Sequence, residues 1–271
     1  MAASLILVGC GRMGNALLSG WLDRGLDPDQ IAVVEPEPDN RAMLSRRPGL
    51  AVAAGPEGLS ADLQPEVVVF AVKPQMMDAV APAYARFTAA DAVFLSIAAG
   101  RNAASLAAAL GNGAAIVRAM PNTPAAIRRG ITAAYRNAGV NERQRQRCHD
   151  LLAAVGDVVW IEDERLMDAV TAVSGSGPAY VFLLVEALAD AGIAAGLSPE
   201  LAGRLARATV SGAAGLLDAS DAAPETLRRN VTSPGGTTAA ALEVLMASGG
   251  LRTLMTAAVR AAADRSRQLQ R

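Results

Sequence analysis

Leu5-Ile-Leu-Val-Gly-Cys-Gly-Arg-Met-Gly14 sets four apolar residues directly before a GxGxxG pattern, and an amphipathic segment, Asn15 to Arg24, follows. A short run apolar on both faces reads as a buried strand, and the glycines after it as a tight turn into a helix. In that context Gly9 permits the turn, Gly11 lets the backbone approach a pyrophosphate, and Gly14 lets the helix pack on the sheet. A GxGxxG by itself is a weak signal, but strand before and helix after favour a dinucleotide site over a merely structural turn. Glu35, at the end of the next apolar run, stands about where an acid would meet the adenosine ribose. A carboxylate there accepts from a free 2′-hydroxyl and repels a 2′-phosphate, which favours NAD over NADP. Equally open is a solvated strand-end acid, because Glu37 and Asp39 follow and Arg41 can meet a phosphate. Cys10 reads as a small filler rather than a nucleophile, since no base stands near it in sequence.

Working outward, short apolar runs at Leu5–Val8, Ile31–Val34, Val67–Val72, Val93–Ile97 and Ala115–Val117 alternate with helical segments, and Val158–Ile161 adds a further candidate. That alternation predicts an α/β fold with a doubly wound parallel sheet. Beyond Glu162 the strand-like runs stop and Ala- and Leu-rich segments take over, so residues 1–161 and 162–271 read as two domains, the second all helical. Its first helix opens at Gly177-Pro178 with Ser176 as cap, and is apolar nearly all round from Tyr180 to Leu188. A domain of about 110 residues offers few places to bury such a helix, which implies that a second subunit covers it. Gly192 and Gly196 mark its end, Ser198 caps the next helix with Pro199 at its first position, and 200–218 and 238–268 read as further helices.

With 271 residues, a net charge of −1 and a pI near 5.9, the chain has no basic field for nucleic acid. Two cysteines, neither in a CxxC pair, give no bridge framework and no metal site, which fits a reduced compartment and a cytoplasmic protein. No signal peptide is read at the N-terminus. The apolar stretch Ala179–Ala191, interrupted by Glu186 and Asp190, falls short of the roughly 20 residues that span a bilayer. No membrane contact is expected.

Late in the chain, Val231-Thr-Ser-Pro-Gly-Gly-Thr-Thr-Ala-Ala-Ala-Leu242 packs hydroxyls and glycines into a loop opening a helix. Gly235 and Gly236 let successive N–H groups converge on one carboxylate or phosphate, and Thr237 and Thr238 add hydroxyls. An ordinary Ser/Thr cap after a Pro-Gly turn is the plainer alternative.

Four further strings stand in order between these two loops: Ala71-Val-Lys-Pro-Gln75, Ile97-Ala-Ala-Gly100, Arg118-Ala-Met-Pro-Asn-Thr-Pro124 and Val173-Ser-Gly-Ser-Gly-Pro-Ala-Tyr180. The ordered set closely resembles the pyrroline-5-carboxylate reductases, over essentially the whole chain. The resemblance implies a Rossmann-type domain followed by a helical dimerisation domain, as in the 6-phosphogluconate dehydrogenase superfamily. It implies reduction of 1-pyrroline-5-carboxylate to L-proline by NADPH or NADH in a homodimer or an oligomer of dimers. It further implies that Val8, Gly9, Cys10, Gly11, Arg12 and Met13 hold the pyrophosphate. Ala71, Val72, Lys73, Pro74, Ile97, Ala98 and Ala99 would line the nicotinamide half, and Asn230 would reach the cofactor. Ser233, Gly236, Thr237 and Thr238 would bind the substrate, with the Thr238 hydroxyl beside its ring nitrogen as the catalytic contact.

The residues agree with that assignment in part. Strand C-terminal ends form the crevice of an open α/β sheet, so Lys73 and Ala98 fall where ligands bind, and Pro74 holds Lys73 extended for a positional role. Asn122 reads equally as a crevice contact and as a Pro-Asn turn; Ser176 is first a cap, and Asp221 a solvated loop acid. Glu35 departs from the small polar residues common in the family, which leaves NADPH or NADH open, and no adenine-side contact carries over from 53–60. An iminium substrate already holds its proton, so no acid-base residue is required, and His149, the one histidine, reads as a surface helix residue. A β-hydroxyacid dehydrogenase would need a lysine between Leu166 and Gly192, where there is none. Another imine reductase, or a dinucleotide sensor without catalysis, is the remaining alternative.

Overall fold

The computed structural model describes residues 4–269. Its strands are β1 Leu5–Val8, β2 Ile31–Val34, β3 Ala51–Ala53, β4 Val67–Phe70, β5 Val93–Ser96, β6 Ala115–Met120, β7 Gly130–Arg136 and β8 Gly156–Trp160. They form one sheet in the order β3-β2-β1-β4-β5-β6-β7-β8. Its helices are α1 Arg12–Asp23, α2 Pro38–Leu44, α3 Met77–Val80, α4 Ala103–Leu110, α5 Glu142–Ala153, α6 Met167–Val170, α7 Gly177–Ala194, α8 Pro199–Asp218, α9 Pro224–Asn230, α10 Thr237–Leu245 and α11 Leu251–Leu269.

From β3 to β6 all neighbours run parallel; β7 is antiparallel to β6, and β8 runs parallel to β7. The strand order turns back between β1 and β4, which makes that point the switch where a doubly wound sheet opens a crevice. Burial on both faces accounts for the unbroken apolar strands. Leu5, Leu7, Val67, Val69, Leu17, Leu18 and Trp21 pack on one side, and Ile6, Val68, Phe70, Tyr84 and Phe94 on the other. The buried Trp21 indole donates to the Leu151 carbonyl at 2.8 Å, tying α1 to α5.

Two strands escape the sequence reading. Ala51–Ala53 is short, alanine-rich and only partly covered, and Gly130–Arg136 returns against β6 through a tight helical turn at Thr123–Ile127. Alanine carries little strand preference, so neither segment announces itself by composition. Asn122 fixes the return, its Oδ1 accepting from the Ile131 N–H at 3.0 Å. The turn reading of Asn122 is therefore the one its carbonyl serves.

Contacts divide the chain into two compact units, residues up to 175 together with those from 262 on, and residues 176–261. In the first, the end of α11 is pinned by Ser266, whose hydroxyl donates to Asp168 Oδ1 at 2.6 Å, both residues buried. In the second, α7 and α8 pack closely where Gly192 meets Ala202, so Gly192 lies inside α7 instead of ending it. The expected 238–268 segment breaks between Leu245 and Leu251, and α9 adds a helix before the Ser-Pro-Gly-Gly loop. Ser198 caps α8 as expected, accepting from the Leu201 N–H at 3.3 Å.

The helical stretch Glu164–Ala194, 31 residues, takes in α6, a π-helical turn at Thr171–Gly175 and α7. Two expectations change. Ser176 has helical backbone angles and makes no side-chain cap bond, since there is no free helix end for it to close. The run is also long and apolar enough to cross a bilayer by length and composition, unlike Ala179–Ala191 taken alone. Its apolar window is unburied within the chain, with Val181, Phe182, Leu183, Leu184 and Leu188 all exposed.

Candidate active site

The glycine loop is shaped by close approach at two glycines and by openness at the third. Gly9 has φ +84°, and a Cβ there would come within 2.8 Å of Val72 Cγ1. A Cβ on Gly14 would lie 2.5 Å from the Gly9 carbonyl oxygen and 3.3 Å from Ala71 Cβ. Gly11, by contrast, has nothing within 4 Å of that position, and it is the N-cap of α1 without a side-chain cap bond. Room above Gly11 and the uncapped N-terminus of a helix of 12 residues fit a pyrophosphate. Cys10 N–H is already taken by Glu35.

Glu35 is 5% exposed, so the solvated strand-end reading fails. Its Oε2 accepts from Cys10 N–H at 2.7 Å, and its Oε1 accepts from Glu37 N–H at 2.9 Å. Arg41 Nη1 donates to the carbonyls of Glu35 at 3.1 Å and Pro36 at 2.8 Å, backing the same turn. Burial first, then the Glu35 charge, push the Cys10 thiol up to about 12, which keeps it protonated and unreactive at neutral pH, as a filler should be.

Sheet register sets the C-terminal edge of the strands. Val8 pairs with Phe70, Phe70 with Ser96 and Ser96 with Arg118, so the strand ends lie flush. β4 stops at Phe70 and β5 at Ser96, which leaves Ala71, Val72 and Ile97 as crevice backbone beyond the ladder. The register brings Val8 to Met13, Ala71 to Pro74 and Ile97 to Ala99 together along one edge of the first unit. Ala71 N–H donates to the Val8 carbonyl at 2.8 Å, and Ile97 N–H to the Phe70 carbonyl at 3.0 Å. Lys73, exposed and extended at φ −61° and ψ 141° before Pro74, is the only lysine in the sequence.

The Ser233-Pro-Gly-Gly loop lies in the second unit. Gly235 takes φ +69°, and a Cβ on Gly236 would collide with the Ser233 hydroxyl. Gly236 N–H donates to the Ser233 carbonyl at 3.1 Å, and Ala240 N–H to the Gly236 carbonyl at 3.2 Å, the first bond of α10. The N–H groups before it, on Thr237, Thr238 and Ala239, start a helix that has no side-chain cap. A helix opening without a side-chain cap, with two threonines on its first turn, presents N–H and hydroxyl donors of the kind an anion accepts from. Asn230 and Ser233 are exposed on the approach, as is Asp221; Thr232 is used locally, its hydroxyl donating to the Arg228 carbonyl at 2.7 Å.

Sequence reasoning missed a buried ion pair and a cavity wall. Arg118 on β6, 2% exposed, donates to Glu164 Oε1 at 3.1 Å, and that same oxygen accepts the Ala103 N–H at 2.8 Å. It also missed Asn15, Asn40 and Arg47, which line a cavity of about 480 Å³ beside Cys10 and Gly11. His149 sits on α5 as read, its Nδ1 accepting from the Trp160 indole at 3.4 Å.

A family profile described as pyrroline-5-carboxylate reductase dimerisation matches residues 164–269, and one described as NADP oxidoreductase coenzyme F420-dependent matches residues 4–100. Pyrroline-5-carboxylate reductase of Pseudomonas aeruginosa is 43% identical over 265 residues, 98% of this chain and 96% of its own. That of Haemophilus influenzae is 38% identical, covering 98% and 97%. Among solved structures, a pyrroline-5-carboxylate reductase from Coxiella burnetii matches with TM-score 0.92 at 34% identity, covering 100% of both chains. Pyrroline carboxylate reductase of Plasmodium falciparum, solved with NADP bound, matches with TM-score 0.83 at 30% identity, covering 99% of this chain and 98% of its own.

Proposed function

The chain belongs to the pyrroline-5-carboxylate reductase family, and we propose a division of its reaction between the open sheet edge and the uncapped α10 helix. It is an NAD(P)H-dependent oxidoreductase acting on a C=N bond, converting 1-pyrroline-5-carboxylate to L-proline in the last step of proline biosynthesis. Residues 1–161 serve as the dinucleotide domain and 162–271 as the substrate and dimerisation domain, a reading supported by the profile match that begins at 164.

The cofactor contacts are those of the glycine loop from Val8 to Met13, of Ala71 to Pro74, of Ile97 to Ala99, and of Asn230. Glu35 acts on the same site through Cys10, whose N–H it holds. When bound, the reduced nicotinamide supplies the hydride for the imine carbon. The chain supplies orientation and charge. The free N–H groups at the start of α10, that of Thr237 first among them, take the substrate carboxylate, with Gly236 and Ser233 shaping the loop beside it, and the iminium N–H donates to Thr238 Oγ. No general acid is needed, and the single observation that carries this reading is the α10 N-terminus, left uncapped with Thr237 and Thr238 on its first turn.

The exposed apolar residues of α7 are covered by a second copy of the chain, so the working unit is a homodimer or a larger assembly of dimers. Two free, buried cysteines support a cytoplasmic setting. The test is product formation: 1-pyrroline-5-carboxylate with NADPH or NADH should yield proline. A folded sample that binds dinucleotide and forms no proline with either would leave a sensor in place of an enzyme.

A further inference from the structure

We propose that Arg47, assisted by Arg12 and Asn40, is the seat of a 2′-phosphate, so that this chain selects NADPH despite the acid at the end of β2. The proposal deepens the dinucleotide site assigned above and rests on that assignment. Three observations carry it.

The first is that the Glu35 carboxylate is directed inward. Both its oxygens accept backbone N–H groups, from Cys10 and Glu37, and it is absent from the wall of the adjoining cavity. Two N–H donors spread and offset its charge, so the repulsion expected of a strand-end acid toward a phosphate is weakened where a ribose would lie.

The second is the chemistry of that cavity. Its wall runs from Gly11 and Arg12 across Asn15 to Asn40, Met43 and Arg47, and encloses about 480 Å³. Two guanidinium groups and two carboxamides line it, with no carboxylate among the lining residues. Such a wall suits a phosphate dianion. A 2′-hydroxyl would leave Arg47 without an anionic partner in the site, whereas Arg12 also borders the stretch assigned to the pyrophosphate.

The third is how Arg47 is held. Lying just past α2, half-buried, it reaches back to α1 and donates from Nη2 to Asn15 Oδ1 at 3.3 Å. Among the described residues no carboxylate pairs with it or with Arg12. Arg41, the cation nearest in sequence to Glu35, is instead spent on the Glu35 and Pro36 carbonyls. Arg47 is thus held in the wall of the cavity it shares with Gly11 by a neutral amide, with donors to spare.

Calorimetric titration of the full-length protein with NADP⁺ and with NAD⁺ tests this without turnover. The wild type should bind NADP⁺ at least about tenfold tighter than NAD⁺. Arg47→Ala should weaken NADP⁺ by about 10- to 100-fold, the scale of charge-assisted hydrogen bonds, and leave NAD⁺ within about twofold. Asn15→Ala, which keeps the cation, should retain most of the preference. A wild type that prefers NAD⁺, an Arg47→Ala protein with an unchanged ratio, or an equal loss in Asn15→Ala would each overturn the proposal while leaving the dinucleotide site standing. Failure of both nucleotides to bind would remove that site as well.

Discussion

The Glu35 carboxylate, buried at the end of β2, accepts a hydrogen bond of 2.7 Å from the Cys10 backbone N–H in the glycine loop. A second bond, from Glu37 N–H at 2.9 Å, fixes the other oxygen. The acid therefore braces the loop on which a pyrophosphate would lie. Replacing it with alanine leaves two N–H groups without their acceptor, at a cost of about 1 to 3 kcal/mol for a buried one. Glu35→Ala should lower stability in denaturant by that amount and weaken NADP⁺ and NAD⁺ alike. A clean shift towards NADP⁺ at unchanged stability would show instead that the carboxylate acts by repelling the 2′-phosphate.

What could be read in advance follows from how local the physics is. Gly9, Gly11 and Gly14 were legible because backbone angles and close approach depend on a few neighbours, and the same holds for Gly235 and Gly236. Strands apolar on both faces declared a parallel sheet. β7 did not, since Gly130-Ile-Thr-Ala-Ala-Tyr-Arg136 owes its place to pairing with β6 and to the Asn122–Ile131 bond. Long-range partners were out of reach for the same reason. Nothing in the composition says that Arg47 finds Asn15, that Arg118 finds Glu164, or that Glu35 turns inward to Cys10. Ser176 misled because Ser-Gly-Pro matches a helix start, whereas the π-helical turn before it carries the helix through.

Thr238 stands on the first turn of a helix without a side-chain cap, and the proposed reaction sets its hydroxyl against the ring nitrogen. Thr238→Ala should therefore reduce kcat by about ten- to a hundredfold, the scale of one hydrogen bond made at the reacting atom, with dinucleotide Kd unchanged. Thr238→Ser should recover most of the loss. Kinetics indistinguishable from wild type in Thr238→Ala would move the role to the N–H groups or to Thr237.

Lys73 is the only lysine, it is exposed, and it lies one residue before Pro74 at the edge assigned to the nicotinamide. An amine-directed reagent such as pyridoxal phosphate with borohydride should mark this side chain and the N-terminus and no other residue. Saturating NADP⁺ should slow the Lys73 reaction several-fold and leave the N-terminus as reactive as before. Equal labelling rates with and without dinucleotide would place Lys73 outside the site.

The α7 surface gives the last prediction. Phe182 and Leu183 are 63% and 62% exposed in the single chain, and burying a side chain of that size contributes about 1.5 to 3 kcal/mol. A second copy is the partner that the dimerisation profile over 164–269 points to, so Phe182→Glu should dissociate the assembly in sedimentation. If each site also draws its sheet edge from one copy and its anion loop from the other, two dead variants should complement one another. Gly11→Asp places a carboxylate where a pyrophosphate would sit, in a position with nothing else within 4 Å, so the fold tolerates it while the cofactor is repelled. Thr238→Ala removes the hydroxyl at the other end. Mixed dimers of the two variants would then contain one site with both halves intact, and mixing followed by subunit exchange should restore activity absent from the Gly11→Asp protein and low in the Thr238→Ala protein. Demonstrated heterodimers with no recovery would mean that each chain completes its own site, and a wild type that sediments as a monomer at assay concentration would remove the dimer itself.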